Sequence, residues 1–93
     1  MIVSFADSTT ELVWQQEAAP ALDPRIQRTA HRKLLQLHAA GSINDLRVPP
    51  GNRLEKLSGD RDGQHSIRVN DQWRICFRWT DVGPADVEIV DYH

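Results

Sequence analysis

The segment HSIRVNDQWRICFRW (65–79) constrains the fold more than any other stretch, because its apolar and charged residues alternate on both sides of a turn. Period-two alternation marks two half-buried strands, and the loop between them sets which side chains share a face. A two-residue loop at Asn70 and Asp71 would pair Arg68 with Trp73 and Ile67 with Arg74, mixing charge with hydrocarbon on each face. A three-residue loop, Asn70 to Gln72, pairs like with like: Val69 with Trp73, Arg68 with Arg74, Ile67 with Ile75 and Ser66 with Cys76. That register assigns Val69, Ile67, Trp73, Ile75, Phe77 and Trp79, with His65, to the core side. Arg68, Arg74 and Arg78 share the other side with Ser66 and Cys76. Opposed arginines repel and call for an anion between them. A carboxylate from Glu88 or Glu55 would serve, and so would a phosphate, which the guanidinium fork fits well.

The surrounding sequence supplies partners for this hairpin. RLEKL (53–57) and ADVEIVDY (85–92) read as flanking strands, separated from it by turn-rich PPGN, SGDRDG and DVGP. With Val87 and Ile89 facing the core, Glu88, Val90 and Tyr92 fall on the arginine side. IVSF (2–5) predicts a first strand. Ser8 with Glu11 has the form of a capping box, predicting a helix from Thr9 to Ala18. Asp23 and Pro24 start a second helix, whose apolar face is Ile26, Ala30, Leu34 and Leu37 and whose end is set by Gly41. The expected fold is α+β, in the order β-α-α-β-β-β-β: a small antiparallel sheet packed against an antiparallel helix pair. Residues 1–93 are expected to form one domain.

Composition narrows the function classes. The single cysteine among 93 residues excludes an intrachain disulfide framework. No apolar run reaches the roughly 20 residues that span a bilayer, so no membrane partner is expected. No signal peptide is visible, and the cytoplasm is the expected compartment. The formal net charge is only -2, yet all eleven Lys and Arg lie between Arg25 and Arg78 with just five acids, a local balance of +6. Such asymmetry suggests a polyanion-binding face.

Few constellations suggest chemistry. The terminal Asp91, Tyr92 and His93 bring together a carboxylate, a phenol and an imidazole, all able to move protons or orient a phosphate. SGDRDGQ (58–64) carries Arg61 at its tip but matches no phosphate-binding fingerprint. His31 and His38 have no acidic or cysteine partner at ligand spacing, so neither a metal nor a cofactor is expected. Cys76 lacks a histidine base on its own face and is not expected to act as a nucleophile.

Across nearly its whole length the chain resembles the HigB-type toxins of the RelE/ParE toxin superfamily. LSGDR, SIRVNDQWRI and the terminal DYH carry the likeness. The resemblance implies a RelE-like fold and a metal-independent endoribonuclease (an mRNA interferase) that cuts translated message. Asp91, Tyr92 and His93 match the family's C-terminal active-site residues, and Arg74 its hairpin arginine. Glu55 stands where many members have histidine, and Lys56 and Ser58 depart from the usual spacing before Gly59. Glu55 would serve as general base if burial raised its pKa. Arg68, Arg78, Arg61, Lys56 and Arg53 are the candidate RNA- and phosphate-binding residues. Implied partners are mRNA, the small ribosomal subunit with its 16S RNA, and a HigA-like antitoxin bearing a helix-turn-helix domain. A superfamily toxin that inhibits a DNA topoisomerase without cutting RNA, and a non-catalytic antitoxin-binding module, remain alternatives.

Overall fold

The computed structural model of this chain describes residues 1–91. Two helices, α1 (Ser8–Trp14) and α2 (Pro24–Ala39), precede four strands, β1 (Glu55–Lys56), β2 (His65–Arg68), β3 (Trp73–Thr80) and β4 (Gly83–Asp91). The strands form one antiparallel sheet in the order β1-β2-β3-β4, the α+β arrangement expected from the sequence.

The hairpin adopts the like-with-like register. Arg68 lies opposite Arg74, Ile67 opposite Ile75 and Ser66 opposite Cys76. Val69 N–H donates to the Trp73 carbonyl (2.9 Å), closing the three-residue loop. Asn70 fixes that loop: its Oδ1 accepts from the backbone N–H of Gln72 and of Trp73, both at 2.8 Å. Ile67, Ile75 and Phe77 are consequently fully buried, in one cluster with Ala30, Leu34 and Leu37 of α2. The second helix starts as expected, with Asp23 Oδ1 accepting from Arg25 N–H (2.8 Å) and Pro24 in the first turn.

Three elements differ from expectation. The first helix is capped by Asp7 rather than Ser8, through a 2.9 Å bond from Thr10 N–H. It stops at Trp14, because Gln16 adopts a left-handed conformation (φ 60°). Gln16 N–H then donates to Val13 O (3.1 Å) and Glu17 N–H to Leu12 O (2.9 Å), a Schellman termination built without glycine. The strand expected at 53–57 shrinks to Glu55–Lys56, since Arg53 is itself left-handed (φ 45°) at the end of a 3-10 turn.

The strand expected at 2–5 is reduced to a single parallel bridge, Phe5 with Val87. Val3 N–H still donates to Pro84 O (2.8 Å), and Ala6 N–H to Val87 O (2.9 Å). Between them lies a β-bulge. Cys76 faces Glu88 but Arg78 faces Ala85, so β4 carries one extra residue. Asp86, at φ 52°, occupies the bulge, and its N–H donates to Ser4 Oγ (2.9 Å) instead of to a backbone carbonyl.

Polar side chains fasten the helices to this frame. Trp14 lies 6.0 Å from the ring of His31 and 4.9 Å from that of His38. His31 Nδ1 sits 3.1 Å from Val13 O, and His38 Nδ1 accepts from Ile2 N–H at 3.1 Å. Thr10 is fully buried, and its Oγ1 accepts from Ile89 N–H (3.0 Å), tying α1 to β4. Thr10→Val keeps the shape but orphans a buried N–H, and should cost about 1–3 kcal/mol. Urea denaturation of both proteins measures this; equal midpoints would show that the bond contributes nothing.

Candidate functional site

Side-chain alternation turns Ser66, Arg68, Arg74, Cys76, Glu88 and Val90 away from the helices. Glu55, Ser66, Cys76 and Glu88 form one row across all four strands, and Arg68, Arg74 and Val90 form the next. Ser66 and Cys76 are completely buried although no helix covers them. Among the described residues, the charged Arg74 contributes to their cover.

Arg74 is the centre of that cover, with its side chain only 11% exposed. Its Nε donates to Ser66 Oγ (2.7 Å) and its Nη2 to the Arg53 carbonyl (2.6 Å). Glu55 Oε2 stands 3.8 Å from the same nitrogen. Two neutral acceptors thus orient the guanidinium, and the Glu55 carboxylate is an ion-pair partner. Arg61, from the 3-10 turn Gly59–Arg61, reaches the face from the other end, donating to Glu88 Oε1 (3.2 Å) and Gln64 Oε1 (3.1 Å). Between these groups, burial pushes the Cys76 thiol pKa up. Arg61 and Arg74 oppose that rise, and Glu88 and Glu55 add to it. Cys76 is therefore a floor residue ringed by four charges, and not a thiolate nucleophile.

The repulsion expected between opposed Arg68 and Arg74 is relieved by giving each its own acceptors. Arg68 pairs with Asp71 of the loop, and Arg74 uses Ser66 and the Arg53 carbonyl. Arg78 lies roughly 13 Å further along β3, where its Nη2 and Nε both meet Asp86 Oδ2, at 2.9 and 3.2 Å. Positive charge continues onto α2. Burial, then the nearby charges of Arg32 and Arg68, lowers the pKa of Lys33, whose Nζ donates to the buried Asn52 Oδ1 (2.7 Å).

The structure therefore brings Arg74, Glu55, Arg61 and Arg68 onto one face, with Arg78 at its far end. Other candidates lie elsewhere. Arg53 contributes its carbonyl, while its side chain is exposed. Lys56 is opposite His65, so it alternates to the side away from Glu55. Asp91 is opposite Trp73, on the side away from Glu88 and Val90, and accepts from Gln72 Nε2 (3.1 Å). Tyr92 and His93 lie outside the described residues. Glu55 is half exposed (51%), so the burial that would favour it as a base is not found. Ser66, as the acceptor that aims Arg74, and Asp86, as the partner of Arg78, were not singled out by sequence. Period-two alternation does place Ser66 beside Arg74, but nothing in the residue order announces the bulge at Asp86. Among the described residues, no group of three His, Cys, Asp or Glu is placed to hold a metal ion.

A family model described as the RelE-like toxin of type II toxin-antitoxin system HigB matches residues 3–93. Toxin HigB-1 of Vibrio cholerae is 43% identical over 82 residues, covering 87% of this chain and 86% of its own. Endoribonuclease HigB of Proteus vulgaris is 27% identical over 93 residues, the full length of both chains. An uncharacterized protein of Haemophilus influenzae is 46% identical over 48 residues, 52% of this chain and 48% of its own.

On the helix-facing side, His65 stacks on Phe77 (centroids 6.3 Å apart), and its buried Nδ1 has no hydrogen-bond partner among the described residues. Burial lowers its pKa below the usual 6.5, and Lys56 and Arg47 lower it further. The unfolded chain takes up this proton near 6.5 while the fold resists it, so stability is full above that pH and declines as pH falls through it. His65→Gln should therefore show a smaller drop in Tm between neutral pH and mildly acidic pH than the parent. An unchanged drop in thermal melts would contradict this placement of the imidazole.

Proposed function

The chain belongs to the HigB-like toxins, the RelE-like toxins of type II toxin-antitoxin systems, and on that premise we propose that it is an endoribonuclease that cuts mRNA on the ribosome. The observation that carries this is Arg74, a guanidinium aimed by Ser66 and the Arg53 carbonyl and held on an open sheet face beside Arg68 and Arg61. A fixed cation in a partly dry setting is what a phosphorane dianion requires, and its alignment is in place before the reaction begins.

The reaction is transesterification. The 2′-oxygen of one nucleotide attacks its own 3′-phosphorus, and the bond from phosphorus to the 5′-oxygen of the next nucleotide breaks. A base takes the 2′-hydroxyl proton and an acid protonates the leaving 5′-oxygen, leaving a 2′,3′-cyclic phosphate and a free 5′-hydroxyl. His93, with a reference pKa of about 6.5, suits either role. Glu55, in the same row as Ser66 and 3.8 Å from Arg74 Nη2, lacks the burial a base role would call for and instead helps hold that guanidinium. Tyr92 would stack on a base or orient the phosphate; Asp91, opposite Trp73 on the other side of the sheet, is left outside this constellation. Arg68, Arg61 and Arg78 track the backbone of the message; Lys56, on the other side of the sheet, and Arg53, present through its carbonyl, are not assigned this role.

A type II toxin has an antitoxin as partner; here it is of the HigA kind, with a helix-turn-helix domain. The basic surface running from Arg68 to Lys33 and Arg32 faces the 16S RNA of the small subunit, and the site of action is the cytoplasm. Purified protein added to a translating extract should shorten a reporter mRNA by cuts inside codons. Arg74→Ala should slow this about 10²-fold or more. Message that stays intact with the parent protein, or equal cutting by Arg74→Ala with a parent-like melt, would contradict the proposal.

A further inference from the structure

The arginines of this face already have anions on them. β4 supplies two: Glu88 Oε1 lies 3.2 Å from Arg61 Nη1, and Asp86 Oδ2 accepts from both Nε and Nη2 of Arg78. Neither pair is deeply buried; Arg61 and Glu88 are each 31% exposed, and the Arg78 pair more so. The fold makes a conformational concession for one of them. Asp86 sits at φ 52°, and the bulge it occupies delivers its carboxylate to Arg78. A left-handed conformation is unfavourable for residues other than glycine, least so for Asp and Asn.

A carboxylate meets a guanidinium with the geometry a phosphate would use. We infer that Asp86 and Glu88 act as built-in competitors of RNA phosphate, lowering the affinity of the arginine face for RNA free in solution. Solvent-exposed pairs are weak and readily exchanged. RNA held against the face by another body acts at a high effective concentration and displaces them, whereas dilute RNA does not. The two carboxylates are thus specificity determinants: they restrict the toxin to RNA presented by a larger assembly. The inference rests on the RNA-cleaving reading of the same face.

Binding of a short 2′-O-methyl oligoribonucleotide, which cannot be cut, tests this by fluorescence anisotropy at low salt. Asp86→Asn keeps a residue tolerant of the left-handed bulge, and Glu88→Gln keeps the shape of the row. Each should tighten binding on the order of fivefold, the effect of removing one unit charge a few ångströms from the phosphate in a high dielectric. Added salt should narrow the gap. Unchanged or weaker binding by the variants, at retained far-UV circular dichroism, overturns the inference. Asp86→Asn alone decides the matter should Glu88→Gln unfold. An Arg61→Ala, Arg78→Ala double variant separates the two levels: if it binds the oligomer as well as the parent does, the RNA reading of this face fails and the inference with it.

Discussion

Both halves of this molecule depend on the three-residue loop between β2 and β3. Asn70 Oδ1, accepting two backbone N–H groups, holds the loop at a length that puts Ile67 against Ile75 and Arg68 against Arg74. Period-two geometry makes this an all-or-none choice: a slip of one residue would send the arginines into the helix-packed core and the isoleucines into water. The core of the domain and its charged face are therefore one decision. Ile89 and Glu88 on β4, and Glu55 on β1, extend it across the sheet.

The charged face is organised by what lies beneath it. Ser66 and Cys76 are fully buried there, and the Arg74 stem contributes to their cover. Arg74 does so with its head fixed by a hydroxyl and a backbone carbonyl. The Glu55 carboxylate stands 3.8 Å from the same guanidinium. Arg61, Arg68 and Arg78 each rest on a carboxylate as well, Glu88, Asp71 and Asp86 in turn. Arg74 is thus the most buried and most firmly oriented arginine among these four.

Much of this was legible in the residue order, and what was not has identifiable causes. The hairpin register and the second helix follow from alternation, from a helical stripe and from Asp23-Pro24, all local signals that the packing agrees with. The early end of α1 was hidden, because its left-handed cap falls on Gln16 where a glycine would have announced it. The bulge at Asp86 was hidden too, because the partner of its N–H, Ser4 Oγ, is distant in sequence, and the expected first strand is present there only as one bridge. In the site, Arg74 and its neighbours were visible from spacing. The exposure of Glu55 was not, since strand length at a sheet edge is set by Arg53 turning left-handed. Asp91 was grouped with the active site by resemblance, whereas its pairing with Trp73 places it on the opposite side of the sheet. The roles of Tyr92 and His93 rest on the resemblance alone.

The central claim is that an oriented guanidinium promotes attack of a 2′-oxygen on the neighbouring phosphorus. The chemistry of the cut ends tests it most directly. Message recovered from a translation reaction should carry 2′,3′-cyclic phosphates, with 5′-hydroxyls on the downstream fragments. Fragments ending in 3′-hydroxyl and beginning in 5′-phosphate would mean that water, and not the 2′-oxygen, is the nucleophile, and would contradict the account.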